Sequence, residues 1–447
     1  MQEKQYIDLF RQFHTSIGDS CGELMNNPRE EALTAFGELG FPDSGKEAYR
    51  NCDMKDLLSY DYGINLNRKK FEVNPHEVFS CDVPNLSTKL FFVVNDQFYK
   101  EDKKIGLPEG VLLGSLNELA RTHKDLLEPY YAAQSKKSSD GMVAFNTAFV
   151  QDGLVIYVPA NVNIEKPIQL IQVLYGHEDM LIQRRIIVIL EDGAKARLLF
   201  CDHSLSSHHF LSNMVSEIYL GDGANLEYYE LEMAHSNTAR ITNTFVSLKK
   251  NSKFNHNGIT LNNGFTRNNI NVRFDGEHSE ANLSGLALGD QSQLIDTHVF
   301  VDHALPNCTS NELYKYVLDG NSKGIFGGSI IVRKNAQKTL AYQSNKNLCS
   351  TREAKMFSRP QLEIYADDVK CSHGSATGQI DENALFYIRS RGISESEARL
   401  LLKYAFTSDV LDTISLEPLR DRMRMLVEKR FRGELARCAG CSAASCQ

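Results

Sequence analysis

Between Ile168 and Arg359 the chain carries a single proline, Pro306, although eight of its eleven prolines lie at or before Pro167. Proline lacks a backbone N–H and breaks hydrogen bonding inside helices and central strands. A long stretch that avoids it is therefore continuously paired. From Met142 onward the sequence runs in short β-rich phrases, among them Leu154–Val158, Ile186–Leu190, Val215–Leu220, Phe245–Leu248, Val299–Val301 and Ile330–Val332. Turn residues bound each one. Turn clusters at Asp192-Gly193, Asp222-Gly223, Asn251-Ser252, Gly276-Glu277, His303-Ala304 and Lys334-Asn335 recur about 25 to 31 residues apart. No long amphipathic run intervenes, so alternating βαβ units are disfavoured.

A regular turn period without helices predicts a β-solenoid, in which each coil buries its inner face against the next. The nine Asn between Asn243 and Asn271 point the same way, because Asn tolerates the left-handed backbone of tight corners. A large antiparallel sandwich or jelly roll shares the pattern of short, evenly spaced strands. Periodicity alone leaves both open.

Helical text flanks this segment. Ile7, Phe10, Phe13 and Ile17 recur at helical spacing, as do Leu33, Phe36 and Leu39 before Gly40-Phe41-Pro42. After the β-run Leu90–Asp96, a helix is expected across Leu112–Tyr131, and the polar loop Ser135–Gly141 ends an N-terminal, mainly helical domain at 1–140. The solenoid then occupies 141–375 and a C-terminal helical domain 376–435. In the latter, Gly392 caps one helix, Ser394–Glu397 is a capping box for the next, and Pro418 opens a third. Their apolar faces, including Leu400, Leu401, Tyr404 and Phe406, must cover the solenoid end or dock a partner. A small-residue tail at 436–447 is expected to be flexible.

With 447 residues the chain has room for about three domains. Its net charge of −8 argues against a sequence-independent nucleic-acid binder. The longest apolar run, Ile186–Leu190, is too short to span a bilayer, and the start lacks a signal-peptide core. The expectation is a cytoplasmic protein. Its ten Cys then suggest thiols or metal ligands rather than a disulfide framework.

Gly40–Glu47 superficially fits a phosphate-binding loop, but Glu47 stands where a magnesium-ligating hydroxyl is needed and no buried strand precedes it. Asp367-Asp368 would point to opposite faces of a strand, which with the absence of Trp weakens a carbohydrate-active enzyme. Cys371-Ser372-His373 is more informative. On a strand, residues two apart share a face, so thiolate and imidazole can meet one soft metal, with further ligands from another coil or chain. The plainer account is a half-buried Cys beside a surface His. Cys438, Cys441 and Cys446 on the tail suit metal binding or thiol exchange, as in a homodimeric metal carrier, or nothing at all.

The stretch RPQLEIYADDVKCSHGSATGQIDENALFYIRSRGI, Arg359 to Ile393, resembles the SufD branch of the SufB/SufD family of SUF iron–sulfur cluster assembly. The likeness extends to Asp152–Ile168, Val215–Ala224, Gly324–Val332, Gly40-Phe-Pro and Leu90–Asn95, and the KCSHG context at Lys370–Gly374 favours SufD over SufB. The resemblance implies a right-handed parallel β-helix between two helical domains, acting as a non-catalytic scaffold. It implies pairing with SufB through the β-helices, with His373 and neighbouring Cys371 at the shared cluster-assembly interface, and docking of the ATPase SufC on the C-terminal helices. No cofactor is expected to stay on the isolated chain, where a homodimer is possible. Iron or an iron–sulfur cluster would be transient in the complex, and flavin is undetermined. In one departure, Tyr49-Arg50-Asn51-Cys52 replaces the family's more usual Trp-Lys/Arg-Tyr-Thr.

Overall fold

The computed structural model describes residues 2–69, 74, 83, 85–99 and 106–434. From Leu154 the chain alternates between two sheets, so sequence-adjacent strands lie in different sheets and hydrogen-bonded neighbours are one full coil apart. The pairings along this body are parallel, for example Leu294–His303 with Lys323–Val332 and Leu340–Cys349 with Lys370–Gly378. The architecture is a parallel β-solenoid, and the antiparallel sandwich is set aside. One sheet has nine strands and ends on Lys355–Ile364; the other has ten and ends on Lys370–Gly378.

In-register stacking turns sequence period into interior columns. Leu190, Leu220, Leu248, Phe274, His303 and Val332 are successive Cα partners in the nine-stranded sheet, and all are buried in one core. Each large apolar member contributes roughly 1.5–3 kcal/mol by leaving water.

The other half of the interior is polar. Arg184 Nη1 lies 2.9 Å from Asp202 Oδ1, Arg240 Nε 2.8 Å from Asp202 Oδ2, and Arg240 Nη2 2.9 Å from Glu230 Oε1. His256 Nε2 is 2.9 Å from Glu230 Oε2. Burial alone would raise the Glu230 carboxyl, but the Arg240 charge and the His256 hydrogen bond bring it down to about 2. Glu312 lacks such cations. Burial pushes it up to about 8, only partly offset by the Gln343 amide, which donates to its Oε2 at 2.8 Å.

Each outer face carries one helical unit. Phe10 of Gln2–Asp19, Phe36 of Arg29–Leu39, and Phe145 and Phe149 of Gly141–Phe149 pack with Leu211 and Ile241 on the nine-stranded sheet. The N-terminal helical unit thus runs past residue 140. Leu411 of Glu395–Leu411 and Leu419, Met423 and Val427 of Glu417–Phe431 cover Ile259, Leu286 and Val317 of the ten-stranded sheet. The C-terminal apolar faces therefore cover a sheet face rather than the solenoid's end. The capping signals hold: Gly392 has φ +86°, Ser394 Oγ accepts from Glu397 N, and Pro418 sits in a first turn.

Two expectations are corrected. The helix expected across Leu112–Tyr131 begins as a strand, Leu112–Ser115, because that segment pairs antiparallel with Leu154–Val158; Ser115 then caps the short helix Leu116–Thr122. Among the nine Asn between 243 and 271, Asn251 is the one with positive φ. Most of the others lie in strands and bond across coils or to helices. Asn269 donates to Asn243, Asn282 to Asn255, and Asn257 to the Val410 carbonyl.

The buried Glu312 gives a pH-dependent test. Its folded pKa lies above the usual 4.5, so it costs nothing below about pH 4.5 and destabilises increasingly as the pH rises toward 8. Glu312→Gln should raise the unfolding free energy by about 4 kcal/mol at pH 7.5 and leave it nearly unchanged at pH 4.5. Urea denaturation at both pH values checks this; an equal gain at both would show that the carboxyl does not titrate on unfolding.

Candidate functional site

The solenoid ends without a lid. Among the described residues, no strand pairs with the outer edges of Lys355–Ile364 and Lys370–Gly378, which close the two sheets. Every earlier coil has its inner face sealed by the next, but the last has not: Ile364 is 42% exposed, whereas its partner Val332, one coil earlier, is 0% exposed. Two parallel edges whose N–H and C=O groups no described strand pairs, flanking a partly apolar opening, form a template for another chain.

Cys371 and His373 lie on this last strand. In register, Cys371 pairs with Ala341 and His373 with Gln343, both buried inward residues of the preceding coil. Alternation therefore turns both side chains to the interior side, as their spacing suggests. Cys371 is half-buried against the main core, and its neighbour two on, His373, is exposed because no further coil covers it. Burial raises the Cys371 thiol, against a lowering hydrogen bond at Ala341, so it is a protonated thiol near neutral pH. A metal would have to displace that proton. Among the described residues no three His, Cys, Asp or Glu side chains converge as a metal-holding group. The pair supplies two donors at an opening, and a complete tetrahedral set needs two more.

Ser375 and Thr377 continue the inward row, and Ser358 Oγ from the facing strand lies 2.7 Å from Ser375 Oγ and 2.8 Å from Asn345 Oδ1. The opening thus has a polar half, with Cys371, His373 and Ser375, and an apolar half, with Leu362 and Ile364.

The other expected residues lie elsewhere. Leu400, Tyr404 and Phe406 are half-buried on Glu395–Leu411, and the Phe406 ring sits 4.7 Å from Lys315 Nζ. Leu401 is 39% exposed. Cys438, Cys441 and Cys446 lie outside the described residues. The departing segment at Tyr49–Cys52 packs the N-terminal unit on the solenoid: the Arg267 guanidinium stacks 3.7 Å from the Tyr49 ring, and Tyr49 Oη donates to Asp140 at 2.6 Å.

Sequence reasoning missed two features. Phe386, 74% exposed, and Tyr387 stand out on the helix Glu382–Ser390, where a short apolar run gave no sign of which side faces water. It also missed the inward column behind His373, formed by Gln343 and Glu312. Counting back one coil from His373 would have found Gln343, and two coils Glu312.

Comparison with known proteins agrees with this geometry. Residues 173–406 match the family described as SUF system FeS cluster assembly, SufBD core domain, and residues 1–170 match the SufBD protein N-terminal region. A Synechocystis iron-sulfur cluster assembly SufBD family protein is 28% identical over 91% of each chain. The iron-sulfur cluster assembly protein SufD of Bacillus subtilis is 25% identical over 96% of this chain and 98% of its own. The Escherichia coli protein of the same name is 29% identical over 55% of this chain and 58% of its own. With both family regions matched in order along the chain, the protein belongs to the SufBD family of the SUF iron–sulfur cluster assembly system.

Proposed function

We propose that the chain is a non-catalytic scaffold subunit that completes a cluster-assembly site by pairing its open solenoid end with a sister chain of the SufB type. One observation carries this reading: the two candidate ligands, Cys371 and His373, sit on the coil whose edges and interior no described residue covers. A partner solenoid adding strands to both edges would seal Leu362 and Ile364 and bring its own donors to the half-made site. Iron or a nascent iron–sulfur cluster is the cargo there, and the thiol and imidazole are donors of the soft type it takes. The family membership and the relatives named SufD support the same reading.

The C-terminal helices are the proposed seat of a SufC-type ATPase. They already cover the ten-stranded sheet, so the docking surface must be their outward side, where Phe386, Tyr387 and Leu401 are exposed. Because Lys315 and Asp409 link the helix Glu395–Leu411 to the solenoid at 2.6 Å, motion of a bound ATPase would be passed to the coil stack.

Anaerobic co-purification with SufB-type and SufC-type chains, with iron and sulfide assayed on the complex, tests both parts. His373→Ala should leave the complex intact while reducing cluster assembly at least tenfold, a loss of about 1.4 kcal/mol or more; wild-type assembly would sink the assigned role. Leu362→Lys, which puts an ammonium in the opening, should weaken sister-chain pairing about tenfold or more. Unchanged pairing would move the interface elsewhere, and a homodimer lost with the same substitution would make a second copy the occupant. Phe386→Asp with Leu401→Arg should weaken ATPase binding but leave pairing alone. Retained ATPase binding would refute the docking surface.

A further inference from the structure

Gln343 occupies the inward position directly behind His373 in the parallel ladder. Its amide is clamped. Nε2 donates to Glu312 Oε2 at 2.8 Å, one coil further in. On the opposite sheet it abuts Gly328, where a Cβ would collide with the amide. That space requirement accounts for the second glycine of Gly327-Gly328, a position where the backbone φ gives glycine no special advantage. With Nε2 donating to Glu312, Oε1 is left over. Oε1 is buried and has no hydrogen-bond partner. A buried acceptor in that state is destabilising until a donor arrives.

Adjacent coils stand about 4.8 Å apart, and side chains sharing a face in a parallel ladder lie side by side. The side chain next to Gln343 on the open side is His373. We propose that Gln343 is a positioning residue for His373: its Oε1 accepts the N–H of one imidazole nitrogen, fixing the ring's tautomer and leaving the other nitrogen's lone pair directed to the open end. A ligating imidazole commonly has its second nitrogen tied to a carbonyl or carboxylate in this manner. Glu312 acts one step behind, since its oxygen is what fixes which way the amide points. The inference rests on His373 being a donor at the shared site and adds how its nitrogen is prepared.

The test is made on the full-length isolated chain, so it does not depend on cluster assembly. Histidine is labelled with ¹⁵N, the His373 signals are identified by their loss in His373→Ala, and the neutral tautomer ratio is measured above the imidazole pKa. One tautomer should dominate in the wild type by about tenfold or more, equivalent to about 1.4 kcal/mol. Gln343→Met keeps the volume but removes the acceptor, and should change that ratio at least threefold while the melting temperature stays within a few degrees. The exchanged pair Glu312→Gln with Gln343→Glu again presents an oxygen to His373 and should restore the single tautomer. An unchanged ratio in Gln343→Met, or a mixture in the exchanged pair, overturns the proposal. Should Gln343→Met not fold, the exchanged pair decides alone. A His373→Ala variant that assembles clusters normally would fail the functional reading while leaving the tautomer result intact, so the two failures are separable.

Discussion

The parallel, in-register hydrogen bonding between coils is the constraint on which the rest of the structure depends. It satisfies the backbone polar groups of each coil only by presenting the same need at the next. A stack built this way has to end somewhere, and its last strands inherit unpaired edges and an unsealed interior. At the start of the solenoid the chain resolves this locally: Leu112–Ser115 and Gln97–Tyr99 pair antiparallel and close the sheets. At the other end nothing among the described residues plays that part. The C-terminal helices are close enough to have done so, yet they lie on the sheet face. The unpaired end is thus a property of this particular arrangement, and it coincides with the strand that bears Cys371 and His373.

The same stacking explains why the interior tolerates so much charge. Arg184, Asp202, Arg240, Glu230 and His256 come from successive coils of both sheets, so each ion meets its opposite one step along the stack. Isolated, any of them would be costly to bury; in this series the Arg240 charge and the His256 hydrogen bond hold the Glu230 carboxyl down at about 2. Glu312 lies beyond the last cation of this series and shows the contrast. It keeps its proton to about pH 8 and is stabilised by one amide. Between the ionic series and the open end, Gln343 is the link that carries the polar column to His373.

Much of the fold was legible in the chain, but unevenly. The six β phrases named after Met142 fall in strands of the nine-stranded sheet, for instance Ile330–Val332 at the end of Lys323–Val332, while the earlier run Leu90–Asp96 covers most of Lys89–Val94 in the other sheet. Each is rich in β-branched and aromatic residues. Later strands of the other sheet, such as Lys253–Asn262 and Lys370–Gly378, contain Asn, His, Ser and Gly and carry little β signal of their own. They are strands because their neighbours are. The Asn-rich stretch misled for the related reason that a corner Asn and a ladder Asn look alike until the register is known. Tyr49–Cys52, an anomaly in the text, turns out to pack Tyr49 on Arg267, more than two hundred positions away.

By itself the sequence determined that this is a continuously paired β structure between helical ends, because proline avoidance and turn spacing are local demands of backbone pairing; the parallel pairing settled solenoid against sandwich. It also determined that Cys371 and His373 share a face, since alternation along a strand needs only adjacent residues. Only the tertiary structure decided that this face looks into the last, open coil, that the C-terminal helices cover a sheet rather than that opening, and that Gln343 and Glu312 stand in line behind His373. Those facts depend on which coil is last and on a register linking residues some thirty positions apart. Neither is encoded in any short stretch of chain.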